Sequence, residues 1–73
     1  MSGKSDKQAA RILRSEMVRR GVSYADLAMM LAEVGVDASE ASIRNKVSRG
    51  AFTADFFLSV LAVMGVETLR LTD

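Results

Sequence analysis

"GVSYADLAMMLAEVGVDASEASIRNKVSRG", residues 21–50, holds two helix-start signals, each followed by a glycine stop. Ser23 stands before an apolar-periodic run, and Asp26 follows three residues later, the arrangement of a shortened capping box. Val22 and Leu27 take the two positions of a hydrophobic staple. Leu27, Ala28, Leu31 and Met30 then face a core, and the helix ends near Glu33. Gly35 suits the left-handed conformation that closes a helix at little cost. A further helix opens in "VDASE". Asp37 is expected as its N-cap with Glu40 completing the box, while Ser39 is a competing cap that shortens the helix by two residues. This helix spans about residues 38–49, with Gly50 beyond its end.

The later helix has a thin apolar stripe. At about 100° per residue, Ile43 and Val47 fall together and are the expected buried pair. Ala41, Asn45, Ser48 and Arg49 then point away from the core, with Arg44 and Lys46 to either side. A core-filling helix needs a broader stripe. Small residues at the centre of the outer side and cations at its edges suit a groove walled by phosphates.

Working outward, Lys7 to Arg20 reads as a first helix, with Ala9, Ala10, Leu13 and Met17 on one stripe and Gly21 as its stop. Lys4, Lys7, Arg11 and Arg14 line the opposite side as a basic rail. A fourth helix opens in "FTADFF", with Thr53 as N-cap, Phe52 and Phe57 as a second staple, and Phe56, Phe57, Val60, Val63 and Met64 toward the core. Leu58, Ala54 and Ala62 lie on its back. The tail "ETLRLTD" alternates with period two and reads as either a short strand or an extended tail. Residues 1–6 are expected to be flexible, residues 7–66 to form the domain, and residues 67–73 to be a tail.

Composition agrees with a helical domain. The 73 residues are 49% apolar, contain no proline and are rich in Ala, Leu and Met. Net charge is only +1, but it is blocked: residues 21–43 hold four acids and no base, and residues 44–50 hold three bases and no acid. With no cysteine and no histidine, disulfides and the usual zinc sites are excluded.

Four short motifs occur in order over about residues 12–66. "RRGVSYADLA" places Gly21, Ser23, Leu27 and Ala28; Gly35 and Val36 make a glycine turn; Ile43, Val47, Arg49 and Gly50 give an aliphatic pair and a closing Arg-Gly; "LAVMGV" runs from Leu61 to Val66. Together they resemble the lambda-repressor-like (XRE-type) helix-turn-helix proteins. The chain departs from that pattern in a stretch about three residues longer between Ala28 and Gly35, in Tyr24 where glutamine is common, and in Ser48 where glutamate is common. The resemblance implies a small all-α, four-helix domain that binds double-stranded DNA sequence-specifically as a transcriptional regulator, with its third helix in the major groove. On that geometry Ser39, Ala41, Ser42, Arg44 and Asn45 lie nearest base edges, Arg44 suited to guanine and Asn45 to adenine. Lys46, Ser48, Arg49 and the rail residues Lys7, Arg11 and Arg14 would meet phosphates, as would the helix start at Ser23 and Tyr24. Leu58, Ala62, Leu69 and Leu71 are the expected contacts of a homodimer.

The main alternative is a non-enzymatic protein-interaction or antitoxin-like module that keeps the fold without DNA binding. Asp37 and Glu40, acids at the start of the third helix, favour it. A solvated basic helix is the plainest reading of all. Catalysis is not expected: there is no glycine-rich phosphate loop, the acids are scattered, and Ser42 and Ser48 have no base near them in sequence. No metal, cofactor or small-molecule ligand is expected, since so small a domain has little room for a pocket of about 300 Å³. The polar start "MSGKSDKQ" is unlike a signal peptide, and no apolar run approaches the ~20 residues of a membrane span, so a cytoplasmic location is expected.

Overall fold

The computed structural model describes residues 7–69 and 71, which form four helices: α1 (Gln8–Arg20), α2 (Tyr24–Glu33), α3 (Glu40–Arg49) and α4 (Ala54–Val63). The fold is all-α, with no strand among the described residues. Among the described residues no helix is long and apolar enough to cross a membrane.

Three helices start on a hydroxyl cap. Ser23 Oγ accepts from the Asp26 N–H at 3.0 Å, and Asp26 Oδ2 accepts in return from the Ser23 N–H at 2.9 Å, a complete capping box. Thr53 Oγ1 accepts from the Phe56 N–H at 3.0 Å. At α3 the cap is Ser39, whose Oγ accepts from the Ser42 N–H at 3.1 Å, and the helix begins at Glu40. The expectation of Asp37 as cap and a helix from about residue 38 is therefore corrected. The connection stays extended through Ser39, and from it Val36 and Ala38 pack against the core.

All four helices close in one way. The N–H after each terminal glycine reaches back five residues: Val22 to the Met17 carbonyl, Val36 to Leu31, Ala51 to Lys46, and Val66 to Leu61, at 2.9–3.1 Å. At Gly21 an added Cβ would meet nothing within 4 Å, so its φ of +66°, not crowding, is what calls for glycine. Val22, Val36 and Val66 then turn onto the core, which makes Gly-Val both a stop and an anchor.

α1 and α2 each lie against both α3 and α4, so the helices close a ring in the spatial order α1, α3, α2, α4. Leu13, Leu27, Leu31, Ile43, Val47 and Val60 fill its centre with no exposed surface. α3 gives this core only Ile43 and Val47. Leu61, outside the expected stripe of α4, is buried as well, because that helix is wrapped on more than one side. Phe52 packs against Phe56 and Phe57, with ring centres 5.7 and 6.0 Å apart.

The tail is not a strand over Glu67–Leu69 or at Leu71. Leu69 is half-buried against the core, and the Leu71 carbonyl accepts from Gln8 Nε2 at 3.1 Å. The chain thus folds back onto α1, and the packed unit extends past Val66. The expected flexible residues 1–6, with Lys4 of the rail, lie outside the described residues, as do Arg70, Thr72 and Asp73.

Because Ile43 is fully enclosed, Ile43→Ala is expected to cost about 2–5 kcal/mol. Asn45→Ala, on the exposed side of the same helix, should change stability by about 0.5 kcal/mol or less. Urea unfolding of the two variants separates core from surface; a large loss for Asn45→Ala would mean that α3 is rotated.

Candidate functional site

With Ile43 and Val47 inward, α3 leaves Glu40, Ala41, Arg44, Asn45, Ser48 and Arg49 exposed. Ser39 is exposed at its start, its hydroxyl occupied as the cap. Ser42 and Lys46 are half-buried at the edge: Lys46 Nζ donates to Ser42 Oγ at 3.0 Å and stands 5.4 Å from the centre of the Phe56 ring. Lys46 thus lies along its own helix, where its stem covers apolar surface. Among the described residues, Asn45, Ser48 and Arg49 make no side-chain hydrogen bond or ion pair.

Arg44 occupies the corner where α3 meets the start of α2. Its Nη2 is 2.6 Å from Glu40 Oε2, and its guanidinium stands 5.5 Å from the centre of the Tyr24 ring. An exposed pair of this kind contributes only about 0.3–0.5 kcal/mol. Its larger effect is orientation, since the acid and the ring together narrow the positions of a long side chain. Glu40 was not among the expected site residues, although its i,i+4 spacing to Arg44 was the signal.

Lys7, just before α1, and Arg11 on it are exposed, and Arg14 turns to α3. Its Nη1 donates to the Val47 carbonyl at 3.4 Å, a cation at the negative end of α3. Arg20 does the same for α4 through Met64 O at 3.3 Å, while its Nε donates to Glu16 Oε1 at 3.1 Å and satisfies that buried acid. Arg14, expected on a phosphate, is therefore already engaged, though a guanidinium keeps further N–H groups. It is also where the rail meets α3.

Every Lys and Arg of the described residues lies on α1, on α3 or at Lys7 just before α1. α2 and α4 carry none. Their outer sides present Ala25, Met29 and Ala32, and Ala54, Leu58 and Ala62, all exposed. Of the expected dimer contacts, Leu58, Ala62 and Leu71 are exposed, whereas Leu69 is drawn into the chain's own core.

The start of α2 is partly occupied. The Ser23 N–H already donates to Asp26, and Tyr24 is half-buried beneath Arg44. Beside it an open depression of about 500 Å³ runs between α1, the α1–α2 turn and the start of α3. Met17, Val18, Val22 and Tyr24 line it, with Arg14, Arg44 and Glu40 around them. The expectation that the domain lacks room for a pocket is corrected in this respect. The space comes from the surface, where α1 and α2 diverge, and not from the core. No group of three acids that could hold a metal occurs among the described residues.

The Ser23 N–H and hydroxyl hold the Asp26 carboxyl below its ordinary range. A lowered folded pKa gives stability that is present above the unfolded value, near 4, and is lost as pH falls through the folded value. Asp26→Asn should therefore lower the melting temperature at neutral pH and flatten its decline below about pH 4. Thermal melts from pH 7 down to pH 2 test this; an unchanged acid limb would show that the box does not couple to folding.

No curated protein and no solved structure matches the chain. A domain of unknown function, DUF6471, matches residues 6–69, and with that match running through all four helices the chain belongs to the DUF6471 family.

Proposed function

We propose that this domain binds double-stranded DNA and acts as a sequence-specific transcriptional regulator, with α3 in the major groove. The observation that carries the reading is that, among the described residues, the basic side chains lie on α1, on α3 or at Lys7 just before α1, around an outer side of α3 that is small and polar at its centre. Asn45 and Arg44 are the principal base readers, toward adenine and guanine, with Ser39, Ala41 and Ser42 at the same helix start. Arg49, Ser48, Lys7, Arg11 and the remaining donors of Arg14 take phosphates, and Lys46 joins them by swinging off Phe56. Tyr24 and Ser23 border the same surface at the start of α2.

A second reading is a protein-interaction module on the same fold. The pairing of Arg44 with Glu40 and the inward turn of Lys46 favour it, because both withdraw positive charge from an approaching phosphate.

A titration with duplex DNA followed residue by residue distinguishes the two. The DNA reading expects perturbations on α3 and at the start of α2, and a log–log salt slope of about −3 to −6 per protomer. Asn45→Ala and Arg44→Ala should each cost about 1–3 kcal/mol on a cognate site. No binding at low salt, or a slope near zero, removes DNA in favour of the interaction module.

Assembly as a homodimer fits this reading, since two half-sites multiply the few contacts of one helix. The outer side of α4, with Leu58 and Ala62, and the exposed Leu71 supply apolar surface away from α3. Leu58→Glu should give monomers with intact helix content by sedimentation and circular dichroism; a wild-type monomer at about 100 µM would rule out the dimer as a source of affinity.

A further inference from the structure

We propose that the depression between α1 and α3 is a binding site for a small carboxylate with a flat or branched apolar body. Two properties of its lining define this class. The first is uncovered apolar surface: Val18 is 82% exposed in the last turn of α1, beside Met17, Val22 and the half-buried Tyr24 ring. The second is charge. Arg14 and Arg44 border the space against the one acid Glu40, which leaves an uncompensated positive charge. A neutral molecule satisfies the floor alone, and a cation meets repulsion. Inorganic phosphate has no body for the floor. A carboxylate satisfies both, because its two oxygens match the fork of a guanidinium. The volume, about 500 Å³, is in the range of small-ligand sites, although the depression is open.

Arg44 makes the site consequential. It borders the depression and is exposed, and its present partner is itself a carboxylate, Glu40 at 2.6 Å. A ligand carboxylate replaces or shares that contact without a new kind of interaction. It also takes up the guanidinium assigned above to a base, so ligand and DNA compete. That coupling rests on the DNA reading; the site itself does not.

The test uses the whole protein without DNA. Methyl resonances of Met17, Val18 and Val22 are followed by NMR during titration with phenylacetate, 2-phenylethanol or phenethylamine. Saturable shifts at these methyls are expected with phenylacetate, about tenfold tighter than with the alcohol and with the amine weakest. Arg44→Gln should abolish the preference for acid over alcohol, and Val18→Gln should weaken both. Four results overturn the proposal: no saturable shift, equal affinity for acid and alcohol, a preference that survives Arg44→Gln, or shifts centred on Met29 and Leu58. Shifts at Val18 and Val22 on raising protein concentration alone would also overturn it, by giving the depression to a second copy of the chain.

Discussion

Among the described residues no helix exceeds 13 residues, and helices of that length do not persist alone in water. Everything therefore depends on the shared centre where Leu13, Leu27, Leu31, Ile43, Val47 and Val60 exclude solvent together. α3 is the extreme case, since two side chains fix its rotation while the others are spared. This economy links fold to function: because Ile43 and Val47 suffice, the outer positions of α3 are free for a partner. The same economy makes α3 depend on its neighbours, and Arg14 of α1 supplies its last turn with a hydrogen bond from a cation.

How much of this was legible follows from range. Ser23 with Asp26, Thr53 and the four stop glycines act within five residues of themselves, so sequence alone located them. Asp37 and Ser39 were both credible caps, and only packing of Val36 and Ala38 decided between them. The tail was open between a strand and an extended segment because alternation over so few residues fits both, and packing settled it as extended. Leu69 went to the core and Leu71 stayed outside, although the pattern put them together. Arg14 and Arg20 reach carbonyls 33 and 44 positions away. No local pattern encodes such a reach, so Arg14 read as part of the basic rail and the long-range role of Arg20 went unseen. The depression was invisible for the same reason, being made where α1 and α2 fail to meet.

Within the proposed site, the cations differ in what they would give up. Arg49 has no partner among the described residues to leave. Lys46 would leave a neutral hydroxyl and an aromatic ring. Arg44 would leave a carboxylate at short distance, and Glu40 would then need water or a donor in its place. The affinity of this surface for any anion is thus a difference between two pairings, which helps explain why a basic segment does not by itself define a partner.

The gathering of Lys and Arg on α1, on α3 and at Lys7, among the described residues, has an electrical consequence. Asp26, Glu33 and Asp55 lie on α2 and α4, across the ring. Glu16 and Glu40 temper the asymmetry, yet among the described residues α1 and α3 stay net positive and α2 and α4 net negative, so a chain whose net charge is only +1 is electrically polarised. In an external field it experiences torque more than net pull, and it approaches a charged surface already turned. Between copies the same asymmetry attracts positive end to negative end when ions are scarce. The Debye length is about 10 Å at 0.1 M salt, so physiological ions screen that attraction at all but close range.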